Sequence, residues 1–297
     1  MAKVNLFIIG VAKGGTTLLH EIMSKKENLC TSSWKEASFF SEIYQNCKFT
    51  GPGDKDYHGS FSVKTIESYE SLFKDQQADY RVDASPIYFY DINSIPKILN
   101  YNPNSKFILV LRDPIKRAYS NYQMHVRDGL EKETFDIAMK LCDERLNSGW
   151  HWGWDYYGFS LYYENLKKLF SITDKSNLLV INFDLLSKNP EIVSNQLNNF
   201  LAKNYFSDAD FSEKFNESGI PRLKFASRFI HRKSMVRDFL MNILGKTGKA
   251  MLKKFYYKYL MQRSNDLDLN AGVKKALEDD WKMSKKIIHD KDFVGFN

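Results

Sequence analysis

Cysteine is scarce in this chain: Cys30, Cys47 and Cys142 are the three in 297 residues. They fall in no CxxC or Cys/His spacing, which argues against a disulfide framework and a structural zinc site. Long apolar runs are missing too, since nothing approaches the roughly 20 residues that cross a bilayer. The opening Met1-Ala2-Lys3-Val4-Asn5 passes into Leu6-Phe7-Ile8-Ile9, too brief for the apolar core of a secretory leader. There is no internal repeat, no low-complexity tract and no convincing linker to a second domain. These absences set the expectation of a soluble, cytoplasmic protein whose 297 residues form one domain.

What is present supports a large core. Hydrophobic residues make up 43% of the chain and aromatic residues 15%, so general disorder is excluded. The net charge of +7 is unevenly spread. Residues 222–263 carry twelve Lys/Arg, from Arg222 and Lys224 to Arg263, against the single acid Asp238. The remainder is mildly acidic, so an anionic partner is expected for the basic, helical-looking C-terminal third.

Along the chain, strand patterns alternate with helical ones. Val4–Ile9 reads as a buried parallel strand ended by Gly10. From Thr16 onward Leu18, Leu19, Ile22 and Met23 recur at helical spacing. Further strands read at Lys106–Leu111 and Asn177–Phe183, and further helices start near Ile115, Ser160 and Pro190. The stretch 45–60, with Gly51-Pro52-Gly53, reads as a surface loop. This alternation predicts an α/β fold, a P-loop-like central parallel β-sheet flanked by helices.

The segment Gly10-Val11-Ala12-Lys13-Gly14-Gly15-Thr16-Thr17 directly after the first strand has the composition of an anion cradle. Glycines let the backbone close on phosphate oxygens, the helix N-terminus presents amides, Lys13 adds charge and Thr16 and Thr17 add hydroxyls. It is not the nucleoside-triphosphate pattern GxxxxGK[ST]. Gly10 and Gly15 keep the glycine spacing, yet Thr16 fills the lysine slot, Lys13 lies three residues upstream, and no Walker-B-type aspartate follows an apolar run. No metal is expected.

Four stretches in order resemble one family. Lys13-Gly14-Gly15-Thr16-Thr17 is similar to the 5′-phosphosulfate loop of sulfotransferases that use 3′-phosphoadenosine 5′-phosphosulfate (PAPS). Leu111-Arg112-Asp113-Pro114 through Ser120-Asn121-Tyr122 resembles that family's 3′-phosphate motif. Lys35-Glu36-Ala37-Ser38-Phe39-Phe40 and Asp83-Ala84-Ser85-Pro86-Ile87-Tyr88 resemble the KExxFF and E-[KA]-[ST]-P-x-Y stretches of its heparan-sulfate-type branch and soluble bacterial relatives. With Phe183-Asp184-Leu185-Leu186 and Gly219-Ile220-Pro221-Arg222, the likeness spans nearly the whole chain.

The resemblance implies roles residue by residue. Lys13 and the amides of Gly14, Gly15, Thr16 and Thr17 would hold the 5′-phosphate, and Lys13 would stabilise charge on the bridging oxygen as sulfate leaves. Arg112 and Ser120 would grip the 3′-phosphate, with Arg222 or Lys224 closing over it. Glu36, followed by Phe39-Phe40 and so expected to be partly desolvated, would be the general base, with His58 and His125 as rivals. Asp83 and Ser85 would face the acceptor. Heparan-sulfate-type enzymes carry lysine where Ala84 stands, a departure on the acceptor side.

The implied reaction is transfer of a sulfuryl group from PAPS to a hydroxyl or amine of a glycan or small molecule, leaving adenosine 3′,5′-bisphosphate (PAP). Trp150-His151-Trp152-Gly153-Trp154-Asp155-Tyr156-Tyr157 would offer flat faces to a ring-shaped acceptor or pack into the core. The basic third would serve the dianionic donor, an acidic glycan or peripheral contact with an anionic membrane. A metal-dependent nucleotide kinase and a non-enzymatic polyanion binder are the alternatives. Nucleic acid is not an expected partner, because no recognition motif for it is present.

Overall fold

The computed structural model describes residues 3–45, 49–54, 63–75, 77–211, 220–221, 261–262 and 268–296. Five strands, β1 (Leu6–Gly10), β2 (Leu29–Thr31), β3 (Tyr80–Ala84), β4 (Lys106–Leu111) and β5 (Leu178–Asn182), form one sheet in the order β2-β3-β1-β4-β5. Every neighbouring pair in it is parallel. Among the described residues six helices reach eight residues or more: α1 (Thr16–Met23), α2 (Ser94–Tyr101), α3 (Pro114–Arg127), α4 (Tyr163–Ile172), α5 (Pro190–Leu201) and α6 (Ala271–Asp290).

Alternate strand residues feed two cores, as a doubly covered sheet requires. Phe7, Ile9, Phe107, Leu109 and Val180 pack with Ile95, Ile98, Leu166, Leu169 and Ile288. On the other face Leu6, Ile8, Ile108, Val110 and Ile181 meet Leu18, Leu19 and Ile22 of α1 and Val193 and Leu197 of α5. A third cluster joins Ala118, Tyr119 and Tyr122 of α3 to Trp154, Tyr156 and Leu277.

Strand order is what creates a place for a ligand. After β1 the chain goes to the sheet edge for β2, returns to place β3 between β2 and β1, then crosses to place β4 on the other side of β1. The carboxyl ends of β1 and β4 therefore flank the point where the winding reverses. Connections diverge there and leave a crevice, the usual ligand position in an open α/β sheet.

The alternating α/β plan expected from sequence is present, and the three strands read there are β1, β4 and β5 with small boundary shifts, while β2 and β3 went unread. β1 begins two residues later than read and includes Gly10, and β5 is Leu178–Asn182. Reading 45–60 as a surface loop needs correction: in its described part Gly51 and Asp54 are buried. The Asp54 carboxylate accepts from the Gly51 and His151 amides, both at 2.8 Å, and from Trp154 Nε1 at 3.0 Å, pinning this loop into the aromatic cluster. Most of the basic segment 222–263, with Arg222 and Lys224, lies outside the described residues, as does His58.

Candidate active site

The glycine loop leaves β1 and turns into α1 through Gly15, whose φ of 92° is a left-handed conformation that only glycine adopts without strain. A Cβ there would also meet Leu186 Cδ1 at 2.8 Å. Gly14 is needed for a different reason. A Cβ on it would lie 2.8 Å from the Val11 carbonyl oxygen and 2.9 Å from that of Val110. The Gly14 amide donates to the Val11 carbonyl at 2.8 Å, so it is already committed. This corrects the expectation that Gly14 contributes an amide to the cradle. Gly15, Thr16, Thr17 and Leu18 stand at the α1 N-terminus, where a helix has amides with no internal acceptor. No side chain caps this end and no acid stands in its first turn, so the positive end of the dipole is left for an anion.

Arg112 leaves the end of β4 on the facing side. The next residue, Asp113, caps α3 by accepting from the Lys116 amide at 2.9 Å, with Pro114 in the first turn. Arg112 itself does not bond Asp113. Its Nη1 donates to the Lys13 carbonyl at 3.0 Å, and its guanidinium lies 4.5 Å from the centre of the Phe183 ring. Among the described residues its Nε is buried without a hydrogen-bond partner. The Tyr162 hydroxyl donates to the Arg112 carbonyl at 3.0 Å. Two loops far apart in sequence are thereby tied across the crevice.

Lys13, half-buried and itself at φ 67°, points its Nζ toward Met124 Sδ at 3.6 Å. Burial lowers its pKa from the ordinary 10.5 to about 8, Arg127 and Arg112 push it the same way, and Asp128 and Glu36 pull it up. Three cations thus crowd one spot, an arrangement that asks for an anion. Arg127 is ion-paired to Asp128 at 2.9 Å. Met124 and Arg127 were not among the residues expected from sequence. They follow Ser120 by four and seven residues on α3 and so share its helix face, a periodicity that could have flagged them. Ser120 is buried.

Glu36 sits in the turn 32–41, which approaches Lys13 closely enough for its charge to act on it. Its side chain is 37% exposed, partly desolvated as expected, and paired to Lys35 Nζ at 2.5 Å. The Phe39 and Phe40 rings turn inward and pack on Tyr69. Asp83 and Ser85 are completely buried. Their oxygens are spent on Tyr69, Tyr88, Ser38 and each other, so neither presents a surface to an acceptor. His125 is sealed as well. It stacks on Trp154 with ring centres 4.2 Å apart, its Nδ1 meets the Tyr156 hydroxyl at 2.7 Å, and burial lowers its pKa to about 4. The aromatic stretch 150–157 is mainly core: Trp152, Trp154 and Tyr156 are buried, and so is His151.

A sulfotransferase-domain family model matches residues 3–217, which contain the whole five-stranded sheet and helices α1 to α5. The chain belongs to the sulfotransferase-domain family. Within it, the chain is 31% identical over 123 residues to the membrane-associated sulfotransferase kil1 of Dictyostelium discoideum, covering 41% of this chain and 23% of that protein. It is 35% identical over 120 residues to the bifunctional heparan sulfate N-deacetylase/N-sulfotransferase 2 of Bos taurus, covering 39% of this chain and 12% of that protein. The matched stretches are thus a minor part of both relatives. A sulfotransferase crystal structure from Alicyclobacillus acidocaldarius shares the fold at TM-score 0.67 and 24% identity, over 86% of this chain and 97% of that one. Among the described residues of this sulfotransferase-family chain, no helix is long and apolar enough to cross a membrane.

Proposed function

We propose that this chain is a PAPS-dependent sulfotransferase acting on a hydroxyl or amine of a glycan or small molecule. The observation that carries the reading is the 3.0 Å bond from Arg112 Nη1 to the Lys13 carbonyl, which couples two separate anion-seeking loops at the sheet's switch point. A donor with phosphates at both its 5′ and 3′ positions needs two such loops side by side. The residues fit it: uncapped α1 amides and Lys13 toward one phosphate, and toward the other Ser120 and Arg112, whose Nε has no hydrogen-bond partner among the described residues. Arg222 is the expected further contact to the 3′-phosphate.

PAPS supplies the sulfuryl group, and the acceptor attacks its sulfur in line with the bond to the bridging oxygen. That bond breaks, its electron pair stays on the bridging oxygen of departing PAP, and Lys13 stabilises the charge developing there. Glu36 takes the acceptor's proton, its carboxylate oriented by Lys35. The relative named a heparan sulfate N-deacetylase/N-sulfotransferase makes a heparan-sulfate-type glycan the first acceptor to test. A cytoplasmic location belongs to the same reading and rests on sparse, scattered cysteines, of which Cys30 and Cys142 are free.

Calorimetry with PAP in the presence of a chelator tests the donor. Tight binding without magnesium is expected. Preference for ATP, or binding lost with the chelator, would move the chain to a metal-dependent nucleotide enzyme. A screen of glycans, sterols, phenols and polar amines with labelled PAPS then identifies the acceptor.

A further inference from the structure

The turn that carries Glu36 is held in an unfavourable backbone shape. Glu36 and Ser38 both have left-handed dihedrals, φ 62° and 52°, which are unfavourable for a residue with a side chain and persist only where the surroundings impose them. What imposes them here is a buried carboxylate. The Ser38 amide donates to Ser85 Oγ at 3.0 Å, and the Ser85 hydroxyl donates to Asp83 Oδ1 at 2.6 Å. Two residues further on, the Phe40 amide faces the Tyr88 hydroxyl at 3.5 Å, and Tyr88 donates to Asp83 Oδ2 at 2.9 Å. Tyr69 donates to the same oxygen at 2.8 Å while its ring stacks on Phe39, centres 4.8 Å apart.

The polarity of this relay follows from the inventory of protons. Each hydroxyl has one hydrogen. A carboxylate offers only acceptors, so all three hydroxyls turn their hydrogens toward Asp83, and the Ser85 and Tyr88 lone pairs are left facing the Ser38 and Phe40 amides. An amide side chain at 83 would present N–H to one side and turn a hydroxyl round against the turn. Asp83 has little room to shift. It lies on β3, paired in register with Phe7 of the adjacent strand β1, and none of its surface is exposed.

We propose that Asp83, acting through Ser85, is a positioning residue that fixes the Glu36 carboxylate where the acceptor gives up its proton. This rests on the reading of Glu36 as the base. It gives the Asp83-Ala84-Ser85 stretch a part in catalysis without contact with substrate, and accounts for its complete burial.

Ser85→Ala is the decisive variant because it cuts the relay at a small side chain. Ser85→Thr keeps the hydroxyl, and Asp83→Asn is a companion whose failure to fold would leave the Ser85 pair to decide. PAP affinity and PAPS turnover are measured with phenol and with p-nitrophenol, the latter acidic enough to attack as its anion. Ser85→Ala is expected to bind PAP within about twofold of wild type and to lose on the order of 10²-fold in kcat with phenol, as for a mispositioned catalytic group. The loss should be under about threefold with p-nitrophenol, be largely restored in Ser85→Thr, and add nothing in a Glu36→Gln background. Equal losses with both phenols, a further loss in that background, or unchanged kcat would overturn the positioning role. Full activity in Glu36→Gln would instead overturn the base assignment, and the positioning role with it.

Discussion

Lys13 sits where folding would rather not have a charge, and Lys13→Met tests this. Its pKa falls from 10.5 to about 8, chiefly by burial and then by Arg127 and Arg112. At about 1.4 kcal/mol per unit, the folded chain carries a penalty of roughly 3 kcal/mol for keeping this ammonium charged at pH 7. The side chain is only half-buried, so water returns part of that, and methionine keeps most of the stem while losing a weak 3.6 Å contact to Met124. Lys13→Met should therefore be more stable than wild type at pH 7 by about 1–2 kcal/mol, after that discount.

The pH dependence carries the sign. Below pH 8 both folded and unfolded chains hold the proton, and the gap between variant and wild type is constant. Between about 8 and 10.5 the unfolded chain binds more protons than the folded one, so wild-type stability gains on the variant and the gap closes. Urea unfolding of both proteins at pH 7 and pH 10.5 reads this directly, since other titrations cancel in the difference. PAP affinity should fall in the same variant, stability traded against function. A less stable Lys13→Met at pH 7, or a gap that persists unchanged to pH 10.5, would refute the reasoning.

Arg112→Ala should weaken PAP binding about ten- to a hundredfold, the worth of a charge-assisted hydrogen bond, with a small effect on folding; calorimetry beside thermal melting separates the two. For wild type, kcat/KM for PAPS should decline above pH 8 as free Lys13 loses its proton, while kcat holds to higher pH because the bound anion keeps it charged; a profile flat to pH 10 would contradict this. Tyr162→Phe removes the hydroxyl that braces the Arg112 carbonyl, and PAP should bind about two- to tenfold more weakly; unchanged affinity would show that the brace is idle. His125→Ala should unfold several degrees earlier by losing its stack on Trp154 yet keep its kcat; a folded variant without turnover would return this histidine to the list of bases.

The site's components were legible because they are local. Strand, glycine loop and helix succeed one another within residues 4–23, and the spacing of Gly14 and Gly15 reflects backbone demands met inside the loop. Arg112 could be read for the same reason, since Asp113-Pro114 marks a strand end passing into a capped helix. What no local pattern contains is which strand lies beside which. Placing β4 against β1, and β3 on the far side, is decided by how two apolar faces are covered at once. That order brings Arg112 to the Lys13 carbonyl across 99 positions of chain.

Burial separates the remaining roles in the same way. A carboxylate in Asp83-Ala84-Ser85 and one in Lys35-Glu36 look alike as sequence. Only the packed structure makes the first a buried anchor on β3 and leaves the second half-exposed beside Lys35. The aromatic run 150–157 was open to a ligand-facing or a core role for the same reason: residue type states how much apolar area there is, while long-range packing, here on α3 and Asp54, decides what covers it.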